Sequence, residues 1–269
     1  MTEAVQVQGL KKSYGTHSVL KGLDFGVNQG EIFGILGVNG AGKTTAMECI
    51  EGLRTYDAGR ILVRGKTGIQ LQSASLPEHI RAMEAIRLFA KWNHCEPDAG
   101  MLTELGIPEF AKKQYYQLST GQKRRLHLAL ALIRDPDVLF LDEPTAGLDV
   151  EGRVSLHGQI RKLKENGKTI VLTSHDMAEA ERLCDRIGIL NRGSIAFLGT
   201  VEELGEKVGK QYRILVRTEC GAEEYESEDI GTDLAELLER YRKTGMTILD
   251  LHVDRGSLEQ HFMKITKGE

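Results

Sequence analysis

The sequence predicts an α/β fold: a mixed sheet flanked by helices, carrying an antiparallel β subdomain, an α-helical subdomain and a small C-terminal α/β module. Three stretches carry that prediction. Glu31–Leu36, Val138–Leu141 and Thr169–Thr173 are short, almost purely apolar runs, each followed by helical spacing. Runs of that kind suit strands buried on both faces of a sheet.

The elements follow in chain order. Residues 4–8 and 19–27 alternate in polarity and end at turn signals, so the N-terminus reads as a small antiparallel sheet. Residues 60–63 add a short strand after the turn at Asp57-Ala58-Gly59. Residues 79–91 place Ile80, Met83, Ile86, Leu88 and Phe89 at helical spacing, and Pro97, Gly106 and Pro108 punctuate shorter helical pieces beyond them. The spacing predicts a helical insertion over about 73–117, extended to about 134 by a helix over 121–133 whose basic run, Lys123-Arg124-Arg125, reads as a solvated face. Helices over about 150–165 and 177–184 follow, the first closed by Asn166-Gly167. Residues 186–190 and 194–198 flank Asn191-Arg192-Gly193 as a hairpin. The expected division is residues 1–204 as the main domain and 205–269 as the accessory module. That module contains strands near 212–217, 222–228 and 247–253, a helix over 233–243 and a capping box at Ser257-Leu258-Glu259-Gln260.

Composition narrows the class. The chain has 269 residues, 41% hydrophobic and 28% charged, which fits a globular protein able to bury a substantial core. A net charge of −4 argues against a dedicated nucleic-acid binder, so no nucleic acid is expected as a partner. The first residues have no basic or apolar signal region, and no run of about 18 apolar residues occurs. Cys49, Cys95, Cys184 and Cys220 have no metal spacing and read as reduced thiols of a cytosolic protein.

The most specific stretch is Gly37-Val38-Asn39-Gly40-Ala41-Gly42-Lys43-Thr44-Thr45, which reads G-x-x-x-x-G-K-T between a strand and a helix. This is a Walker A phosphate loop. Glycines let backbone N–H groups turn toward an anion, and the helix N-terminus adds positive partial charge. Lys43 then reaches the β- and γ-phosphates, and the Thr44 hydroxyl ligates Mg²⁺. Asp142-Glu143 at the end of an apolar strand is where a metal and a water would sit. His175 stands at the end of another such strand.

Leu118-Ser119-Thr120-Gly121-Gln122 discriminates among nucleotide hydrolases. With it, residues 4–200 resemble the ATP-binding-cassette (ABC) family, whose signature reads L-S-G-G-Q. Thr120 departs from that pattern at its third position, while Ser119 and Gly121 remain. The resemblance implies a P-loop NTPase core with a RecA-like sheet and assigns roles by position. Tyr14 stacks on adenine, and Gln72 is the Q-loop glutamine, with Gln70 competing and the offset from Gly68 favouring Gln72. Ala146-Gly147-Leu148-Asp149 is the D-loop and His175 the switch histidine.

It further implies ATP and Mg²⁺ as ligands. Thr44, Gln72 and Asp142 would organise the metal, Glu143 would act as general base, and Lys43, Gln72 and His175 would assist. Ser119, Gly121, Gln122 and Asp149 would serve nucleotide held by a second subunit, so a head-to-tail homodimer is expected. The family also implies a separate integral-membrane permease, a cytoplasmic position on the inner face of the membrane, and a transport role. The tail Ser257-Leu258-Glu259-Gln260-His261-Phe262 resembles exporter ATPases of the multidrug or antibiotic-resistance type. A soluble cassette acting in translation, DNA repair or iron–sulfur assembly is the alternative.

Overall fold

The computed structural model describes residues 2–71, 75–207 and 212–255. Gln72 and the C-terminal segment Ser257–Phe262 therefore lie outside the described residues. The chain divides into two compact units, Met1–Leu198 and Gly199–Glu269.

The first unit is built on a six-stranded sheet. Its strands are β3 (Ile32–Leu36), β5 (Thr67–Gln70), β6 (Val138–Asp142), β7 (Thr169–Ser174), β8 (Arg186–Asn191) and β9 (Ser194–Gly199), in the order β5-β6-β7-β3-β8-β9. The β5/β6, β6/β7, β7/β3 and β3/β8 pairs are parallel. Both faces of this sheet are covered, which explains the unbroken apolar runs. Val138, Phe140, Val171, Phe33 and Ile35 join one core cluster, and Leu139, Leu141, Ile170, Leu172 and Ile32 join another. Alternate residues thus fill opposite cores, as the two-residue period of a strand requires.

One cluster is closed by an antiparallel sheet of β1 (Glu3–Tyr14), β2 (His17–Asn28) and β4 (Ala58–Val63), in the order β2-β1-β4. Phe25 of β2 stacks on Phe33 of β3 with ring centroids 5.4 Å apart. Helix α1 (Lys43–Ile50) adds Ala46, Met47 and Ile50 to this core. The other cluster is closed by α2 (Ala82–Trp92), α3 (Ala99–Glu104), two short 3₁₀ turns (Ile107–Phe110 and Tyr115–Gln117), α4 (Thr120–Leu132), α5 (Val150–Glu165) and α6 (Met177–Leu183).

The β8–β9 connection is Arg192-Gly193, with φ of 48° and 82°. Two positive φ values in a two-residue loop match the twist of the flanking strands. The Gly193 carbonyl accepts from the Lys21 amide at 2.8 Å, and a methyl group at Gly193 would lie 2.1 Å from the Val19 oxygen. Glycine is required there by that clash and favoured by the positive φ.

Two expectations need correction. The segment Thr67–Gln70 carried no strand reading, yet it is β5, the edge partner of β6. With Gly68 and four residues only, it offers little periodicity. The basic run on α4 is no free solvated face either. Lys123 lies over the Tyr115 ring, Arg124 donates to the Ala146 carbonyl at 3.3 Å, and Arg125 lies over Phe110 beside Glu109. The aliphatic stems cover apolar surface while the charged heads find fixed partners.

The second unit contains α7 (Val201–Lys207), β10 (Tyr212–Thr218), β11 (Gly221–Ser227), α8 (Ile230–Thr244) and β12 (Ile248–Arg255). Its sheet is antiparallel in the order β11-β10-β12. Ile214 and Val216 of the sheet pack with Leu237 and Tyr241 of α8. Among the described residues no helix is long and apolar enough to cross a membrane.

Candidate active site and its relatives

The parallel register brings the C-terminal ends of the central strands to one rim. Leu36 of β3 pairs with Ser174 of β7, and Asp142 of β6 pairs with Thr173. The loop from Gly37 to Gly42 leaves β3 at this rim. Gly40 and Gly42 have φ of 82° and 106°, and a methyl group at Gly37 would lie 2.6 Å from the Leu190 oxygen. The loop therefore needs glycine for conformation at two positions and for space at a third. Gly42 caps α1 without a side-chain bond, which leaves the first amides of the helix available to an anion.

Lys43 is almost fully buried and turns back over this loop. Its Nζ donates to the Gly37 carbonyl at 2.8 Å and the Val38 carbonyl at 3.3 Å, and stands 3.9 Å from Glu143 Oε1. Burial lowers its pKa, while Glu143 and Asp142 pull it back up. A cation poorly hydrated and only partly neutralised is well prepared to take a phosphate charge.

The carboxylates are held from beneath. Asp142 is buried, and burial raises its pKa; bonds from Thr173 and Thr44 oppose that shift, while Glu143 adds to it. Thr173, fully buried, donates from Oγ1 to Asp142 Oδ1 and accepts the Glu143 amide at 2.9 Å. Glu143 has φ of 45°, a left-handed conformation that a non-glycine residue holds at a cost of order 1–3 kcal/mol. Its Oε1 lies 3.3 Å from His175 Nδ1, whose ring is 57% exposed. Lys43, Thr44, Asp142, Glu143 and His175 thus meet at one rim. Thr173 had no assigned role; a hydroxyl at the end of the buried Ile170–Leu172 run, opposite the aspartate, is the signal that marks it.

Tyr14 ends β1, 43% exposed, with Lys12 and Arg54 at 5.4 and 5.5 Å from its ring centre. The ring offers a face to a base, and the two cations were not foreseen.

The signature residues lie apart from this cluster. Ser119 is the N-cap of α4: its Oγ accepts the Gln122 amide at 3.2 Å, and Gln122 Oε1 accepts the Ser119 amide at 3.1 Å. Gln122 therefore closes a capping box. Asp149 likewise caps α5, accepting from the Gly152 amide at 2.8 Å. Both helix N-termini border a cavity of about 490 Å³ lined by Ser119, Gly121, Gln122 and Asp149, with no Walker A residue in its wall. A methyl group at Gly121 would meet nothing closer than 3.9 Å within this chain.

Residues 20–146 match the ABC transporter family. A linearmycin resistance ATP-binding protein of Bacillus subtilis is 37% identical over 223 residues, covering 76% of this chain and 72% of that protein. The chain belongs to the ABC transporter ATP-binding family. A daunorubicin resistance ATP-binding protein of Streptomyces coeruleorubidus is 36% identical over 81% of this chain and 75% of its own length. A Nod factor export ATP-binding protein of Ralstonia nicotianae is 36% identical over 92% of this chain and 81% of its own. Among solved structures, the ATP-binding subunit of an ABC transporter superposes with a TM-score of 0.69 at 26% identity, covering 77% of this chain and 93% of that one. As an ABC subunit the protein binds ATP, is an ATPase and acts with a membrane component of its transporter.

The donors fit Mg²⁺: a threonine hydroxyl and a carboxylate are hard oxygen ligands of the sort this ion shares with substrate phosphates. Among the described residues no group of three or more His, Cys, Asp or Glu could hold a metal.

Proposed function

We propose that this ABC subunit powers export of a drug-, antibiotic- or lipid-like cargo by closing as a head-to-tail homodimer on two ATP molecules. The observation that carries the dimer is the separation of the two half-sites. Lys43, Asp142 and Glu143 stand at one rim, while Ser119, Gly121 and Asp149 border a different cavity. Two copies related by a two-fold axis would complete both sites at once. The Ser119 hydroxyl hydrogen is not consumed by its capping bond and would donate to a γ-phosphate held by the partner. The resistance and export names of the relatives favour export over a soluble role.

Within each site Lys43 and the loop amides hold the phosphates. Mg²⁺, held by Thr44, Asp142 and Gln72, would neutralise phosphate charge. Glu143 takes a proton from the attacking water, and His175, beside it, steadies charge as it develops on the γ-phosphate. Most of the work in phosphoryl transfer is positioning and charge stabilisation, which this rim supplies. Tyr14 stacks on adenine. Leu88 and Trp92 on α2, 54% and 75% exposed, support α2 as the face that meets the permease, which would hold the subunit on the inner face of the membrane.

Glu143→Gln tests the clamp, because it keeps the shape and removes the base. General-base loss should slow turnover about 10²–10⁴-fold. With Mg-ATP the variant should run on size exclusion at twice its ADP mass. A species that stays monomeric in ATP would overturn the homodimer, and undiminished turnover would overturn the assignment of Glu143.

A further inference from the structure

Beneath the site lies a buried carboxylate that the proposed chemistry does not use. Glu179 of α6 is 4% exposed. Ser174 Oγ donates to its Oε2 at 2.5 Å, His157 Nε2 of α5 lies 3.3 Å from Oε1, and Thr145 also hydrogen-bonds to it. Burial pushes the carboxyl up, but these three bonds outweigh burial and hold it below the ordinary range, so it stays ionised. A buried charge survives only when its lone pairs are satisfied, and this one is satisfied from three segments.

Those segments are the ones that matter to the rim. Ser174 immediately precedes His175 and also accepts the Asp176 amide at 3.0 Å. Thr145 is two residues past Glu143, in the loop that runs to the cap Asp149 of α5. Arg124 of the signature helix holds the same loop at the Ala146 carbonyl. Glu143, His175, Thr145 and Glu179 line one cavity of about 190 Å³.

We propose that Glu179 is a positioning residue, tying the segment before His175 to the Thr145–Asp149 loop so that His175 stays against Glu143 while the loop faces the second subunit. The inference rests on the roles given above to Glu143 and His175. Glu179 touches no reacting atom; it fixes the segments that do.

The test is Glu179→Gln in the full chain. The amide keeps the volume but removes the charge and replaces one accepting oxygen with an N–H₂, which weakens the charge-assisted bonds from Ser174, His157 and Thr145. Turnover at saturating ATP is expected to fall about tenfold, since small misplacements of catalytic groups carry costs of that size or larger. Binding of a fluorescent ATP analogue should stay within about twofold, at unchanged stoichiometry. Normalising turnover to bound nucleotide separates positioning from mere loss of folded protein. Wild-type turnover per bound nucleotide would overturn the proposal. Ser174→Ala removes the donor to Glu179 and the acceptor of the Asp176 amide and should move kcat in the same direction; unchanged turnover in it overturns the proposal if Glu179→Gln does not fold. If Glu143→Gln itself hydrolyses ATP normally, the site assignment fails first; if it is inactive while Glu179→Gln and Ser174→Ala turn over normally, only this inference fails.

Discussion

The Thr173 hydroxyl donates to Asp142 while accepting the amide of the very next residue, Glu143. One side chain on β7 therefore sets both the aspartate and the backbone turn that aims the glutamate. Its own backbone is fixed by register, since Asp142 and Thr173 are partners across the β6/β7 ladder.

Thr173→Val keeps the shape and removes both bonds. It should leave a buried carboxylate short of a donor, costing about 1–3 kcal/mol. Glu143 would also lose its anchor at a left-handed position. Turnover should fall and the Mg²⁺ requirement should rise. An ATPase titration against Mg²⁺, paired with urea unfolding, checks this; a normal metal titration would refute the role of Thr173.

Ser119→Arg addresses the second half-site. It should leave ATP binding to the monomer intact while abolishing both the ATP-dependent dimer and hydrolysis. Undiminished hydrolysis would sink the composite site.

Glu51, which follows α1, has both carboxyl oxygens buried with no partner among the described residues, and burial, with Asp142 and Glu48 nearby, raises its pKa to about 8. The folded protein thus holds a proton that the unfolded chain releases near 4.5. Below that value this group costs nothing; between there and about 8 stability falls as pH rises. At order of magnitude the loss reaches about 4–5 kcal/mol. Glu51→Gln should remove that slope and raise Tm most at pH 8 and above. Parallel Tm–pH curves for the two proteins would refute it.

His127 behaves in the opposite sense. Its Nε2 lies 3.1 Å from the Tyr115 hydroxyl, and burial, helped by Arg124 and Lys123, lowers its pKa to about 4. The folded state keeps it neutral while the unfolded chain takes up a proton below about 6.5, so stability is lost as pH falls from there to about 4. The loss is about 3 kcal/mol at order of magnitude. His127→Gln, which still bonds to Tyr115, should flatten this acid limb in thermal melts between pH 7 and 4.5; an unchanged limb would count against it.

Much of the fold is legible because its strands are covered on both faces. Val138–Leu141 and Thr169–Thr173 had to be unbroken and apolar, and that pattern survives in one dimension. The Walker loop is legible because φ at Gly40 and Gly42 is a local need, while the space required at Gly37 is set by Leu190 of β8. Ser119 and Gln122 close a capping box within four residues, which starts α4 at Thr120, one residue before the start expected from periodicity. β5 escaped notice because its strand character comes from pairing with β6 rather than from its own residues. The basic run of α4 was misread because its partners, Tyr115, Ala146 and Phe110, are set by packing.

By itself, then, the sequence determined the family, most of the order of elements (β5 and α7 apart) and the pattern of the phosphate loop. These rest on local backbone requirements and on periodicity, which neighbouring residues encode. Only the tertiary structure decided that Thr173 anchors both carboxylates, that Glu179 joins three segments from beneath, and that Lys43 faces Glu143. Those contacts join residues far apart in the chain, 31 positions for Thr173 and Asp142. Strand register and burial bring them within bonding distance, and neither can be read from spacing alone.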